Sequence, residues 1–328
     1  MGFKNKRQRA AVMISLRDSG KYVSTKNGVV HRSYYKPHKT NLTHNSTKHS
    51  ASSKRQLIEA VNRNKSKIAQ ETDERTLRKI EKINDDYNKG KDSRSDNSTN
   101  GVYTAKREKL HDSILDKQFN ETKSVDKNDP DVYFFGGVGG SGKGTHLRPR
   151  VKENAIIIDP DNYKKELSKT DKSPVKGKKL AHAAYLHEES SDISHKARNR
   201  AVREKRDVIE DRTMSNEKTA KDDIDYYKRN GYDVHVLGTQ LPAHKSIDRA
   251  TSRFLNPKKD GRYVPLEIIS DKGNRINKNV IRTTRHGDTH QVYDTDVPKG
   301  KQAILITRSH SNTKKDFRKP KGTRQDFS

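Results

Sequence analysis

The chain of 328 residues contains no cysteine, so disulfide bonds and thiolate metal sites are excluded. Apolar residues are also scarce: 28% of the chain is hydrophobic and 35% is charged, which means that only part of it can bury a core. No apolar run approaches the roughly 18 residues that a membrane-spanning helix needs. The N-terminal patch AAVMISL is interrupted by Arg17 and Asp18. We therefore expect neither a signal peptide nor a membrane span.

Acidic residues are nearly absent from the first fifty positions. Residues 1–50 carry eleven Lys and Arg against one acid, Asp18, within a chain whose net charge is +28. Such an arm attracts polyanions, and Tyr22, Tyr34 and Tyr35 could stack on bases. Two interpretations stay open at this point. The arm binds nucleic acid through its backbone phosphates, or it is a solvated tail that binds only weakly.

The pattern along the chain predicts three regions. Residues 1–125 form a basic, largely disordered or helical N-terminal arm, with a hairpin signal at Asn27-Gly28 and apolar residues at helical spacing over about 54–87. Residues 131–310 form the compact domain, and residues 311–328 form a disordered basic tail.

Within the compact region, short apolar runs alternate with stretches of helical spacing. The runs are DVYFFGG, NAIIIDPD, DVIED and GYDVHVLGT, and helical spacing marks 181–205 and 216–230. This alternation predicts an α/β fold with a mainly parallel sheet flanked by helices. Further on, we expect two strands around Gly287-Asp288 and a last strand in 301–309.

A glycine-rich segment, GGVGGSGKGT, follows the first apolar run. Its spacing fits a P-loop, in which converging backbone N–H groups hold phosphate oxygens. We expect Lys143 to reach the β- and γ-phosphates and the Thr145 hydroxyl to reach Mg²⁺, and Pro149 to keep the following helix short. A glycine turn that contains a lysine by chance is the alternative. The predicted nucleotide-binding residues are Gly137, Val138, Gly139, Gly140, Ser141, Gly142, Lys143, Gly144 and Thr145.

Carboxylates follow the next two predicted strands. IIIDPDNY places Asp159 and Asp161 two residues apart on what we expect to be an extended segment, so that both carboxylates point towards the P-loop. VIEDRT places Asp211 and Thr213 at the next strand end. Asp159 is predicted to contact the metal, with a helix cap as the alternative. The pair Glu188 and Glu189 is expected on a solvated helix face.

These elements, in this order, resemble the zeta toxin family of P-loop kinases over about residues 131–270. The resemblance implies a kinase that uses ATP or GTP with Mg²⁺ and phosphorylates a hydroxyl of a small molecule, such as a UDP-linked N-acetyl amino sugar. It implies Asp161 as the proton acceptor, Asp211 and Thr213 as substrate-binding residues, and Arg249 and Arg262 as catalytic arginines beside Lys143. Arg253 lies on the same predicted helix as Arg249, and surface charge is the alternative interpretation of its position.

Three features depart from the family. Arg212 stands where a small glycine is expected and is large enough to crowd the substrate pocket. Gly144 and Pro149 change the helix after the P-loop, and the basic arm is not part of the kinase core. The alternative function is a nucleic-acid-associated protein with P-loop NTPase or polynucleotide kinase activity. The resemblance also suggests an antitoxin-like inhibitor and a cytoplasmic location in a bacterial host, with virion packaging as the alternative.

Overall fold

The computed structural model describes two short strands near the N-terminus and most of the chain after residue 50. The described residues are 22–25, 28–31, 51–122, 129–151, 153–256, 258–298 and 300–309. Most of the predicted arm over 1–50 and the predicted tail over 311–328 lie outside them. In the described part of the chain, no helix is long and apolar enough to cross a bilayer.

The chain divides into two units, and the first spans Met1–Thr43. In it, β1 (Tyr22–Thr25) and β2 (Gly28–His31) form an antiparallel pair whose register places Thr25 opposite Gly28. A hairpin is therefore present where the sequence predicts one. The pairing of Thr25 with Gly28 places the connection at positions 26 and 27, one residue before the predicted Asn27-Gly28 turn.

The second unit, His44–Ser328, contains all the remaining elements. Its helices are α1 (Lys54–Glu71), α2 (Glu74–Asn88), α3 (Ser93–Asn97), α4 (Ala105–Glu121), α5 (Lys143–His146), α6 (Pro160–Thr170), α7 (His187–Arg203), α8 (Glu217–Arg229), α9 (Ala243–Leu255) and α10 (Leu266–Thr283). Its strands are β3 (Ser98–Thr99), β4 (Val102–Tyr103), β5 (Asp131–Gly136), β6 (Ile156–Ile158), β7 (Val208–Asp211), β8 (Asp233–Gln240), β9 (Thr289–Asp294) and β10 (Ile304–Arg308).

Six strands form one sheet in the order β10-β9-β8-β5-β7-β6. All neighbouring pairs are parallel except β10 with β9. The carboxyl ends of β5, β6 and β7 therefore meet at one edge, next to the loops that follow them. The predicted α/β class with a mainly parallel sheet is confirmed.

Strand β5 lies at the centre of the sheet and is buried along its whole length. Val132 and Phe134 face the larger core cluster, and Tyr133 and Phe135 face the smaller one. Both faces are covered by other elements, which explains why this strand is a continuous apolar run and not an alternating one.

The helices before residue 125 belong to the same core as the sheet. Leu57, Ile68, Ile80 and Phe119 are all buried in the larger cluster, together with residues of β5 and β8. The compact unit thus begins well before the predicted boundary at 125–131. Charged residues separate the few core-facing positions of α1 and α2, and for this reason the segment looks like a solvated arm in the sequence.

Three expectations about single helices and strands have different outcomes. The helix after the P-loop has only four residues, and Pro149 lies in the 3₁₀ turn that follows it, as predicted. Of the two strands expected around Gly287-Asp288, only β9 exists. The VIRTT segment is instead the end of α10, because Ile276 and Val280 continue the buried stripe of that helix. Strand β10 is present within 301–309.

Candidate functional site

The loop between β5 and α5 has the backbone conformation that a phosphate cradle needs. Gly137, Gly140 and Gly142 adopt positive φ angles of 156°, 84° and 77°. Side chains other than glycine rarely adopt these angles. A Cβ on Gly137 would overlap Thr239 Oγ1 and lie 2.6 Å from Ser141 Oγ, so the loop also approaches β8 too closely for a larger residue.

Side chains from the neighbouring strand and helix hold this loop in place. Ser141 Oγ is hydrogen-bonded to Thr239 Oγ1 at 2.6 Å, and Thr239 Oγ1 donates to Gly136 O at 3.2 Å. On α9, Ser246 Oγ donates to Gly139 O. The backbone N–H groups of the loop are therefore oriented before any ligand binds. Sequence reasoning missed Thr239 and Ser246, since both come from distant elements and no local pattern marks them.

The Lys143 ammonium folds back over the loop. Its Nζ donates to Gly137 O at 3.2 Å and lies 3.5 Å from Asp211 Oδ1, at the end of β7. A cation held over a ring of backbone N–H groups makes the loop a receptor for anions.

Two carboxylates lie at the same sheet edge as this lysine. Asp159 caps α6 by accepting a hydrogen bond from the Asp161 N–H at 2.9 Å, and Asp211 ends β7. Burial, and then the charge of Asp211, raises the pKa of Asp159 to about 6. Burial also raises the pKa of Asp211, although Lys143 opposes the shift. Each carboxylate thus disfavours ionisation of the other, and a cation between them would relieve this repulsion.

Asp161 lies in the first turn of α6, so the expected extended segment from Asp159 to Asp161 is wrong. The proline between them starts the helix, and the Asp161 carboxylate turns towards two cations. It forms ion pairs with Arg262 and, at 3.2 Å, with Lys164. Burial lowers the pKa of Lys164 to about 8. Sequence reasoning missed Lys164, although its position three residues after Asp161 is a helical contact spacing.

Three arginines from α9 and the loop after it face this region. Arg249 donates to Gly140 O at 3.4 Å and to Thr295 O at 2.9 Å, so it contacts the P-loop backbone directly. Arg253 and Arg262 are largely buried, and burial lowers the pKa of both. In the described part of the chain, the Nε atoms of both lack a hydrogen-bond partner. Arg253 is therefore not surface charge.

Two residues after β7 depart from what the sequence suggests. The Arg212 side chain pairs with Glu210 at 3.0 Å and with Asp223, so it is anchored away from Lys143 and Asp211. Thr213 is exposed, and among the described residues no side-chain hydrogen bond or ion pair joins it to the other site residues. The acidic pair at the start of α7 is also not a solvated face. Glu189 is fully buried, and Tyr87 Oη donates to Glu188 at 2.9 Å.

A cavity of about 560 Å³ opens on one side of the P-loop. Gly142, Thr145, His146 and Arg249 line it, together with residues 297, 298 and 300–302 after β9. Thr145 thus lies beside this cavity, and Gly144, directly after Lys143, has no hydroxyl to offer. The described residues contain no group of three or more His, Asp or Glu side chains that could hold a metal ion alone.

The comparisons with known proteins agree with this geometry. The zeta toxin family model matches residues 115–309, which is more than half of the chain. No curated protein sequence matches the chain.

The solved structures that are similar to the chain at low identity include the following three. One belongs to the PezAT chromosomal toxin–antitoxin system of Streptococcus pneumoniae, with 16% identity, 64% of this chain and 83% of that chain covered, and a TM-score of 0.44. The AvrRxo1-ORF1:AvrRxo1-ORF2 structure with sulphate ions has 16% identity, 63% and 69% coverage, and a TM-score of 0.49. The same complex with ATP has 17% identity, 63% and 68% coverage, and a TM-score of 0.48.

The family model covers residues 115–309 and by itself shows the family to which the chain belongs. The chain belongs to the zeta toxin family and is a P-loop kinase, a phosphotransferase.

Proposed function

We propose that this kinase transfers the γ-phosphoryl group of ATP to a hydroxyl group of a small molecule, such as a UDP-linked N-acetyl amino sugar. The observation that carries the proposal is the meeting of Lys143, Asp159, Asp211 and the Asp161–Arg262 pair at one edge of the sheet. Phosphoryl transfer needs positioning and charge neutralisation more than covalent chemistry, and these groups supply both.

The nucleotide would occupy the P-loop and the adjoining cavity. The triphosphate would lie on the loop N–H groups under Lys143, and the nucleoside would enter the 560 Å³ cavity lined by His146 and by residues 297, 298 and 300–302. Phosphate oxygens would then replace Asp211 as the partner of Lys143. GTP would fit the same phosphate contacts.

Mg²⁺ fits the residues at this edge. It binds proteins through one or two carboxylates and takes its other ligands from phosphates and water, so a three-carboxylate cluster is not needed. Asp159 would hold it, with the Thr145 hydroxyl as the second predicted contact. When bound, Mg²⁺ neutralises charge on the β- and γ-phosphates.

Asp161 would accept the proton of the acceptor hydroxyl. Its carboxylate is paired with Arg262 and Lys164, so it is held in place beside the phosphate site. The γ-phosphate offers Arg262 a second anionic partner, which frees a carboxylate oxygen for the hydroxyl. The unpartnered Nε atoms of Arg253 and Arg262 would donate to the moving phosphoryl group, while Arg249 holds the P-loop. Asp211 and Thr213 would bind the acceptor.

Two measurements test the proposal. Mg²⁺ with ATP should raise the melting temperature, since the ligand binds the native state, and Lys143→Ala should abolish the shift. With γ-labelled ATP and a panel of nucleotide sugars, nucleosides and oligonucleotides, Asp161→Asn should lower phosphoryl transfer about 10²–10⁴-fold while ATP binding persists.

Glu166→Gln is the matched control, because it removes a carboxylate charge from the same helix away from Arg262. If wild type releases only free phosphate, and Asp161→Asn does so at the same rate, Asp161 is not the proton acceptor and the kinase mechanism fails. An antitoxin-like inhibitor stays a prediction of the family resemblance.

A further inference from the structure

Seven exposed cations on three segments have no ion pair in the described part of the chain. They are Arg75 and Lys82 on α2, Lys172, Lys176 and Lys179 in the loop between α6 and α7, and Lys258 and Lys259 after α9. We call this set the basic strip. Three nearby acids are already engaged: Asp171 pairs with Arg107, Glu166 with Lys169, and Glu74 with Arg78. Glu81, next to Lys82, is exposed and has no ion pair among the described residues.

Hydrogen bonds join the three segments into one surface. Lys79 Nζ on α2 donates to Pro174 O at 3.0 Å, in the middle of the lysine-rich loop. At the other end of that loop, Lys178 Nζ donates to Phe254 O at 2.9 Å and Leu180 N donates to Asp260 O at 2.9 Å. The basic strip is therefore continuous from α2 to the segment that carries Lys258 and Lys259.

The two ends of the basic strip differ in shape. At the α2 end, a recess of about 330 Å³ is lined by Arg75, Arg78, Lys79, Lys82 and one acid, Glu74. At the other end, the segment continues directly into Arg262, which pairs with Asp161. A ligand that follows the basic strip thus runs from an anion-sized recess towards the ion pair of Arg262 and Asp161.

We propose that the basic strip binds a single-stranded nucleic acid. Unpaired cations along an extended path match a chain of regularly spaced phosphates, and release of counterions drives such binding. An anionic membrane is the weaker match, because binding at a membrane surface gains strength from apolar side chains that insert between the lipids. The large exposed apolar residues among those described are Ile58, Val102, Ile268, Ile304 and Leu305, and none is in the basic strip. The proposal does not rest on the proposed acceptor or on catalysis.

The test compares two full-length triple variants of equal charge. Arg75→Ala/Lys82→Ala/Lys176→Ala removes three cations from the basic strip. Lys106→Ala/Lys109→Ala/Lys117→Ala removes three exposed lysines from α4, which also have no ion pair among the described residues. Any binding by the N-terminal arm contributes equally to both variants, so the difference between them belongs to the basic strip.

The probe is a fluorescein-labelled single-stranded 20-mer, followed by anisotropy from 50 to 300 mM salt. Removal of one cation that binds a phosphate should make the slope of log K against log[salt] shallower by about 0.7. The basic-strip variant should thus have a slope shallower by about 2 and an affinity about 10–100-fold weaker at 150 mM salt. The α4 variant should bind like wild type.

Equal affinity of the two triple variants would overturn the proposal. So would loss of binding to phosphatidylserine vesicles by the basic-strip variant with oligonucleotide binding unchanged. Melting temperatures of both variants within a few degrees of wild type show that the comparison is between folded proteins.

Discussion

The claim that the N-terminal helices belong to the kinase core can be tested with one substitution at two positions. Ile80 on α2 is 2% exposed and lies in the larger core cluster, whereas Ile58 on α1 is 51% exposed. Ile→Ala removes the same atoms at both positions, and both are inside helices. Any difference in effect therefore reports burial, and Ile58→Ala is the matched control.

The expected magnitudes follow from burial. At Ile80, losing buried methyl and methylene groups and leaving a cavity should lower the free energy of unfolding by about 2–5 kcal/mol. At Ile58, the change should stay within about 0.5 kcal/mol, because surface substitutions are nearly neutral and alanine favours a helix more than isoleucine does.

The assay is urea unfolding of the full-length chain, followed by circular dichroism. If α2 unfolds together with the sheet, Ile80→Ala shifts the midpoint of the whole transition with an unchanged slope. Equal midpoints for the two variants would refute the inclusion of α2 in the core. A separate early transition that only Ile80→Ala shifts would refute it as well.

Three further predictions concern the P-loop and two buried ion pairs. Gly137→Ala should abolish the ATP-induced rise in melting temperature, because its Cβ overlaps Thr239, whereas Gly144→Ala, which meets no atom within 4 Å, should bind ATP. Burial raises the pKa of Glu189, but hydrogen bonds from His111 and Arg107 outweigh it and lower that pKa to about 2. The stabilisation is therefore complete above about pH 4.5 and lost as pH falls towards 2. Urea midpoints should fall over this range in wild type and less steeply in Glu189→Gln. Arg212→Gly should lower the urea midpoint, since it leaves Glu210 and Asp223 with one cation fewer, without changing the affinity for ATP.

The sequence was sufficient to predict the sheet and the P-loop, because their signals are local. Strand β5 is a continuous apolar run, and the glycines and Lys143 follow it directly. The same holds for Asp159 and Asp211, which come immediately after apolar runs. Arg249 and Arg262 were predicted only from the order of motifs, since no local pattern distinguishes them among so many arginines.

The features that the sequence could not predict depend on packing between distant segments. Helix α10 contains a β-branched stretch that looks like a strand, and only its packing against the sheet favours the helix. Thr239 and Lys164 acquire their roles from contacts with Ser141 and Asp161. The buried face of α1 and α2 is narrow, so burial there depends on the partner helices and not on mean hydropathy.

The sequence leaves open whether the Arg212 side chain crowds the substrate pocket, and the geometry of β7 answers this question. Successive side chains of β7 point to opposite faces of the sheet, so Asp211 faces Lys143 while Glu210 lies on the other face. The Arg212 N–H still bonds to Phe135 O at 2.9 Å, so the alternation continues and the Arg212 side chain follows Glu210. There Arg198 and Arg212 form ion pairs with Glu210 and Asp223; burial raises the pKa of both carboxyl groups, and Arg198 opposes that shift. A large side chain between two site residues therefore need not enter the site. The Arg212 charge lies on the face of the sheet opposite to Lys143, where its ion pairs stabilise the strand that carries Asp211.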